Sequence, residues 1–231
     1  MVAESTTPVD AGRVRDAVHD IRERIAALAG DRPVELIAVT KGFGADALDA
    51  ALAAGCGLVG ENYAQELVAK VESRPSGRDG LEVHFIGQLQ TNKVRLVVSI
   101  VDVWQTVDRA ALADEIAKRA VGARVFVQVN TTSEDAKGGC PPASAGGLVE
   151  HCREAGLQVE GLMTVGPTSG DRAETASAFT LLRRLADDNG LVGCSMGMTG
   201  DYDLGIEHGA THVRIGSALF GERPKRAASI R

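Results

Sequence analysis

Apolar residues along this chain return in two alternating rhythms. The first is helical: Val14, Val18, Ile21, Ile25 and Leu28 recur with Arg, Asp and Glu between them until Gly30 ends the run, which predicts an amphipathic helix opened by an Asp10 N-cap. Short β-rich runs bounded by turn residues follow: Val34–Lys41, Gly57–Glu61, Val83–Gln88, Val101–Val107, Arg124–Asn130, Val159–Pro167, Gly193–Met198 and His212–Ala218. Between them lie helical patterns such as ADALDAALAAG, AQELVAKVE, DRAALADEIAKRA, ASAGGLVEHCREAG and RAETASAFTLLRRLADDNG. Repeated strand-then-helix implies parallel strands. Eight such units in about 200 residues fit an α/β fold of the (β/α)8 TIM-barrel kind better than an open doubly wound sheet. The expectation is one barrel domain over residues 11–231 with an added N-terminal helix, after a loose arm over residues 1–10.

Composition narrows the classes of function. With 44% hydrophobic residues and a mean hydropathy of -0.01, the 231-residue chain can bury a core and is not a disordered or fibrous sequence. Lys+Arg 25 against Asp+Glu 31 leaves a net charge of -6, which argues against nucleic acid and membrane surfaces as partners. The N-terminus has no cationic region followed by an apolar stretch, and no uncharged apolar run approaches ~18 residues, so a soluble cytoplasmic protein is expected. Cys56, Cys140, Cys152 and Cys194 form no CxxC pair and have no histidine at zinc-ligand spacing, which predicts buried reduced thiols and no metal.

In such a barrel the reactive groups stand at the carboxyl ends of the strands, with phosphate most often held by the loops after the seventh and eighth. Here those loops begin in SMGMTGD, Ser195–Asp201, and RIGSALFG, Arg214–Gly221, each pairing glycine with hydroxyl residues where bare N–H groups reach an anion. A tight turn alone would account for Gly197 or Gly216; two such loops at the expected strands suggest a phosphate cup. Arg214 lies in an apolar run between Val213 and Ile215, where a buried guanidinium needs an acceptor that a ligand can supply, although a surface pair is the commoner fate of an arginine. Lys41 shares a face with Ile37 and Val39, opposite Leu36, Ala38 and Thr40. If that face lines the barrel, desolvation and Arg214 lower its pKa toward a nucleophilic amine; if not, the ammonium reaches solvent.

Other residues stand around the same mouth. Asn62, in GENYAQE, either caps the next helix or faces the site, and Glu61 pairs with Lys41 or another cation. Gln88, Gln90, Asn92 and Lys93 make a polar rim after the third run. His84 reads as a core histidine satisfied by a backbone partner, and Met163 and Met196 as packing residues, either of which can touch a flat ring.

The segments LIAVTK, GENYAQE, HFIGQLQTNK, GLMTVGP, SMGM and VRIGSALFG, in this order from Val34 to Gly221, together resemble the pyridoxal-phosphate homeostasis protein family, itself similar to the N-terminal barrel domain of alanine racemase. The resemblance implies pyridoxal 5′-phosphate held as an internal aldimine on Lys41, with Asn62 beside it, the phosphate on Ser195 and the backbone of Gly216 and Ser217, and Arg214 at the pyridine nitrogen. Gly197, from the glycine-bearing loop, and Met163, as a residue that can touch a flat ring, are further cofactor-binding candidates. A cation there disfavours ring protonation and weakens the cofactor as an electron sink, which suits storage over carbanion chemistry. The chain ends at Arg231 without residues for the β domain that supplies a second base in racemase-like enzymes. The implied function is therefore to hold and supply the vitamin B6 cofactor to apo-enzymes, as a monomer and without robust turnover.

Departures from the family pattern are small. Thr199 and Ser217 exchange hydroxyl for hydroxyl, and Lys137-Gly138-Gly139 stands where the family has a KSG-like segment. Lys137 reads as a solvent-exposed loop lysine, with a transient second acceptor of the aldehyde as the alternative. Two enzymatic readings compete: a one-base racemase or related amino-acid enzyme using Lys41 on the same cofactor, and, without the resemblance, a Schiff-base aldolase for sugar phosphates.

Overall fold

The computed structural model describes residues 8–134 and 136–222. Its eight strands are β1 (Glu35–Val39), β2 (Leu58–Glu61), β3 (Glu82–Phe85), β4 (Val103–Val107), β5 (Arg124–Gln128), β6 (Gln158–Met163), β7 (Gly193–Met198) and β8 (His212–Ile215). They pair in chain order, all parallel, and β8 returns to β1 to close the barrel. Each predicted run overlaps one strand, with β3 and β6 beginning one residue before their runs. Most strands stop short of the predicted end, because the backbone leaves the ladder at the mouth and turns into the loops that carry the chemistry. The expected loose arm falls mostly on residues 1–7, which lie outside the described residues, as do residues 223–231 of the expected domain.

Nine helices are described: α1 (Ala11–Ala29), α2 (Asp46–Ala53), α3 (Ala64–Ser73), α4 (Val94–Val97), α5 (Ala110–Arg119), α6 (Ala145–Glu154), α7 (Arg172–Asp188), α8 (Tyr202–Glu207) and α9 (Ser217–Phe220). The Asp10 side chain accepts from the N–H groups of Gly12 and Arg13, capping α1 as predicted. The helix buries Val14, Val18, Ile21, Ile25 and Ala29, with Leu28 only partly covered. It packs on α2, α8 and α9, so it thickens the outer layer where α8 and α9 are only six and four residues long. Helices this short, like α4, cannot display a 3.6-residue period, and the sequence pattern does not show them.

Strand alternation divides the core in two. Leu36, Ala38, Val59, Val83, Phe85, Trp104, Val125, Val127, Leu162, Cys194, Met196, Val213 and Ile215 join the large cluster beneath the helices. Val103, Phe126 and Met163 form a separate cluster inside the barrel. A Cβ on Gly60 would meet the side chains of Ile37, Val39 and Ile86, which places Ile37 and Val39 on that inner face too. Gly161 and Gly193 pair across β6 and β7, and a Cβ on Gly161 would fall 2.2 Å from the Gly193 carbonyl oxygen, so the strands meet there only because neither residue carries a side chain.

Candidate functional site at the barrel mouth

Lys41 is the second residue after β1, half-buried, and continues the face of Ile37 and Val39. Val39 pairs with Gly60, and Thr40 N–H still donates to the Gly60 carbonyl. Carried two residues further, this register sets Lys41 level with Asn62. On the other side Ala38 pairs with Ile215, and a Cβ on Gly216 would meet the Val39 oxygen at 3.2 Å, so the β8–α9 turn packs tightly against the end of β1. The first alternative for Lys41, an inward-facing amine, is the one that the strand's parity favours.

Arg214 is buried inside the barrel, where one guanidinium nitrogen donates to Ser195 Oγ (2.7 Å) and the other to the Thr164 carbonyl (2.7 Å). Burial pushes its pKa down to about 10, against the attraction of Asp201, and leaves it a cation at neutral pH. Ser195 in turn donates to Gln105 Oε1 (2.6 Å), and the Gln105 amide reaches His84 Nδ1 (2.8 Å). The amide is the donor in this contact, so His84 carries its proton on Nε2 and gives it to Glu82 Oε1 (2.9 Å). A directed chain thus runs from the Arg214 cation to the Glu82 carboxylate, which His84 and Arg124 hold down at about 2. Every donor in it has one acceptor, which is what makes a buried charge tolerable.

The remaining sequence candidates fall around this axis. Ser195 lies within β7, fully buried, with its one hydroxyl hydrogen given to Gln105. Gly197 takes φ 92 in a β-bulge and lies against Tyr202, where a Cβ would come within 2.8 Å of the tyrosine Cα; a side chain is excluded on both counts. Asn62 has a buried Oδ1 without a hydrogen-bond partner and no capping bond to α3, whose N-cap is Tyr63. It lines a cavity of about 440 Å³ with Tyr63, Gln88, Gln90, Lys93 and Arg109; of the expected polar rim, Gln88, Gln90 and Lys93 line this cavity and Asn92 does not. Ser217 is exposed at the start of α9. Met163 packs inside the barrel on Val103 and Phe126, whereas Met196 faces the helices and is removed from any inner ligand.

Of the two alternatives for Glu61 the second holds: its partner is Lys70, at 2.5 Å, and both are buried outside the barrel wall. Two other expectations need correction. His84 is indeed a core histidine, but Gln105 and Glu82 side chains satisfy it, not a backbone group. Lys137 is not solvent-exposed: its side chain is 16% accessible, paired with Glu134 at 2.7 Å and donating to the Gly166 carbonyl. The next residues fold back across the mouth, where a Cβ on Gly138 would lie 2.7 Å from Gln88 Nε2. The four cysteines are free and buried, as expected; burial raises all their thiols, Cys152 to about 12.

Lys70, Gln105 and Thr164 were not singled out by sequence reasoning. Lys70 shares the buried stripe of α3 with Ala64 and Leu67, and Gln105 falls between Val103 and Val107 at alternating positions of its run, so each carried a detectable signal as a polar residue among apolar ones. Thr164 acts through its carbonyl, which no side-chain pattern reveals. Among the described residues no helix is long and apolar enough to cross a membrane.

Residues 10–224 match the family described as Alanine racemase, N-terminal domain, in keeping with the closed parallel barrel. The Corynebacterium glutamicum alanine racemase superposes with a TM-score of 0.72 at 18% identity over 98% of this chain and 64% of that one, a likeness of fold. Curated relatives named Pyridoxal phosphate homeostasis protein are far more similar. That of Pseudomonas aeruginosa is 38% identical over 96% of both chains, and that of Schizosaccharomyces pombe 36% over 90% of this chain and 92% of its own. This chain belongs to the pyridoxal phosphate homeostasis protein family. The PipY protein of Synechococcus elongatus, solved with PLP bound, covers 90% of this chain and all of its own length, with a TM-score of 0.79 at 30% identity.

Proposed function

We propose that this chain binds pyridoxal 5′-phosphate at the barrel mouth through Lys41 and acts in the cytoplasm to hold the cofactor and supply it to apo-enzymes. The observation that carries the reading is the convergence of Lys41 between Asn62 and the Gly216–Ser217 turn, above the buried Arg214. When bound, the cofactor supplies an aldehyde that condenses with an amine and a pyridine ring that withdraws electrons. The residues present fit that group. Lys41 is the amine, and the unpartnered Asn62 Oδ1 accepts a donor. Arg214, which has donors only, suits a ring nitrogen that stays unprotonated. The glycine-bearing turns with Thr199, Gly216 and Ser217 offer hydroxyls and N–H groups to a phosphate.

Ser195 works one step further in on this reading: it holds Arg214 from below, and the phosphate contact passes to Thr199, beyond the Gly197 bulge. Met163 serves as the apolar floor. Arg214, pinned at two nitrogens, suits retention better than proton traffic. One chain supplies every group named, so the working unit is taken as a monomer. The test is the near-visible spectrum with added cofactor, before and after borohydride, followed by peptide mapping. Cofactor trapped on the Lys41 peptide, and lost in Lys41→Ala, supports the reading; no covalent uptake at saturating cofactor refutes it. Sustained, Lys41-dependent conversion of amino acids would replace delivery with the one-base enzyme.

A further inference from the structure

Behind Lys41, on the outer side of the barrel wall, lies a buried ionic cluster. Lys70, on the inward stripe of α3, directs its ammonium to three acceptors: Glu61 Oε1 at 2.5 Å, Glu66 Oε1 at 2.8 Å and the Thr40 carbonyl at 2.6 Å. Glu66 accepts from the Gly42 N–H (2.5 Å), and Glu61 accepts from Thr40 Oγ1 (2.5 Å). The Thr40 carbonyl belongs to the peptide group before Lys41, and the Gly42 N–H to the one after it. The cluster therefore grips both peptide planes flanking Lys41 while touching its strand from the face opposite to the lysine side chain.

Such a cluster is a poor way to gain stability. Taking two carboxylates and an ammonium out of water costs several kcal/mol per ion, and well-packed apolar side chains of similar volume are often as stabilising. What it provides is direction. Lys41 lies past the end of β1, and Gly42, at φ 81, makes the turn that follows it. Fixing the planes on either side of Lys41 fixes its N–Cα–C frame and hence its Cα–Cβ bond, so the amine starts each encounter aimed into the mouth. A group misplaced by about 1 Å can cost on the order of 100-fold in reaction rate.

We propose that Glu66 and Lys70 are positioning residues for Lys41, acting through the peptide groups on either side of it. The proposal rests on Lys41 being the cofactor-bearing residue. Three variants test it: Glu66→Ala, which removes the acceptor of the Gly42 N–H; Glu66→Gln, which keeps an acceptor oxygen; and Lys70→Met. Two readouts are combined, the rate of borohydride-trapped cofactor accumulation on the Lys41 peptide and amide hydrogen exchange over residues 40–43 without cofactor. Expected are at least ten-fold slower capture and at least ten-fold faster exchange in Glu66→Ala, with Glu66→Gln restoring both to within about three-fold of the parent. Lys70→Met, if it folds, should behave as Glu66→Ala does. If it does not fold, the two Glu66 variants decide the matter, since that side chain is 17% accessible and stands at the edge of the cluster. Capture by Glu66→Ala within two-fold of the parent, with unchanged exchange, overturns the positioning role alone. Absence of capture at Lys41 in the parent protein overturns the functional reading and this proposal with it.

Discussion

Ser195→Ala is the sharpest probe of the buried chain that holds Arg214. The hydroxyl accepts from the Arg214 guanidinium at 2.7 Å and donates to Gln105 Oε1 at 2.6 Å, and all three side chains lie inside the barrel. Removing one oxygen leaves the guanidinium short of an acceptor and the amide oxygen short of a donor. An unsatisfied buried neutral group costs about 1–3 kcal/mol, and a charged one more. A hydrogen bond to a charged group contributes about 1.5–3 kcal/mol. Arg214 keeps its bond to the Thr164 carbonyl, which places the expected loss at about 2–3 kcal/mol. That is a large share of the roughly 5–15 kcal/mol by which a domain is usually stable.

Urea unfolding followed by the fluorescence of Trp104 suits the measurement, because this is the chain's single tryptophan, buried on the outer face of β4 next to Gln105. The chain also implies coupling. Gln105→Leu removes the next link, so Ser195→Ala combined with Gln105→Leu should destabilise by at least ~1 kcal/mol less than the sum of the single changes. A loss below ~1 kcal/mol in Ser195→Ala, with additive behaviour in the double variant, would show that the serine does not support Arg214 and that water or rearrangement satisfies the cation instead.

Other predictions follow from the same geometry. Burial, helped by repulsion from His84, pushes His212 from 6.5 down to about 4, so the unfolded chain binds the extra proton between those values. Stability is full above pH 6.5 and falls by ~3 kcal/mol as pH drops toward 4; His212→Gln should flatten urea midpoints over that window, and an unchanged slope would refute the assignment. Glu82, lowered from 4.5 to about 2, adds to the loss only below its ordinary value. Gly161→Ala would force a Cβ against the Gly193 backbone oxygen and should cost 3 kcal/mol or more, roughly the upper end of overpacking effects, or prevent soluble expression; a midpoint within ~1 kcal/mol of the parent would contradict the close approach. The four thiols should resist alkylation at pH 8 until the chain unfolds, because Cys140 and Cys194 are raised to about 11 and Cys152 to about 12; mass spectrometry counting more than one rapid adduct on folded protein would refute that.

The barrel was legible in the sequence because parallel strands covered on both faces read as continuous apolar runs, and eight of them alternate with helical patterns. Their ends were not, since runs such as Val159–Pro167 continue apolar residues into the mouth after the ladder has stopped at Met163. Alternation also fixed which residues share a face without saying which face is inside: Lys41 could be grouped with Ile37 and Val39, but only barrel closure, with Gly60 opposite them, shows that this face lines the interior. The family resemblance supplied roles for Lys41, Asn62 and Arg214 and could not supply their supports.

Those supports share a physical reason for being hidden. Glu66 and Lys70 are four apart on α3, the spacing of an ordinary exposed helix pair, and such pairs are usually solvated and weak. What separates this one is that Lys70 also falls in line with Ala64 and Leu67, on the stripe that meets the sheet, and a lysine there must find its acceptors on the outer face of the wall, in Glu61 and the Thr40 carbonyl. Gln105 is the inner counterpart, a polar residue on the Val103 face with partners 21 and 90 residues away in sequence. Lys41 through its flanking peptide groups and Arg214 through Ser195 are thus each braced by a polar residue in an apolar stripe, one outside the barrel wall and one within it. A polar residue that breaks an apolar face is therefore the signal to follow when a reactive group in this fold has been found but the groups that aim it have not.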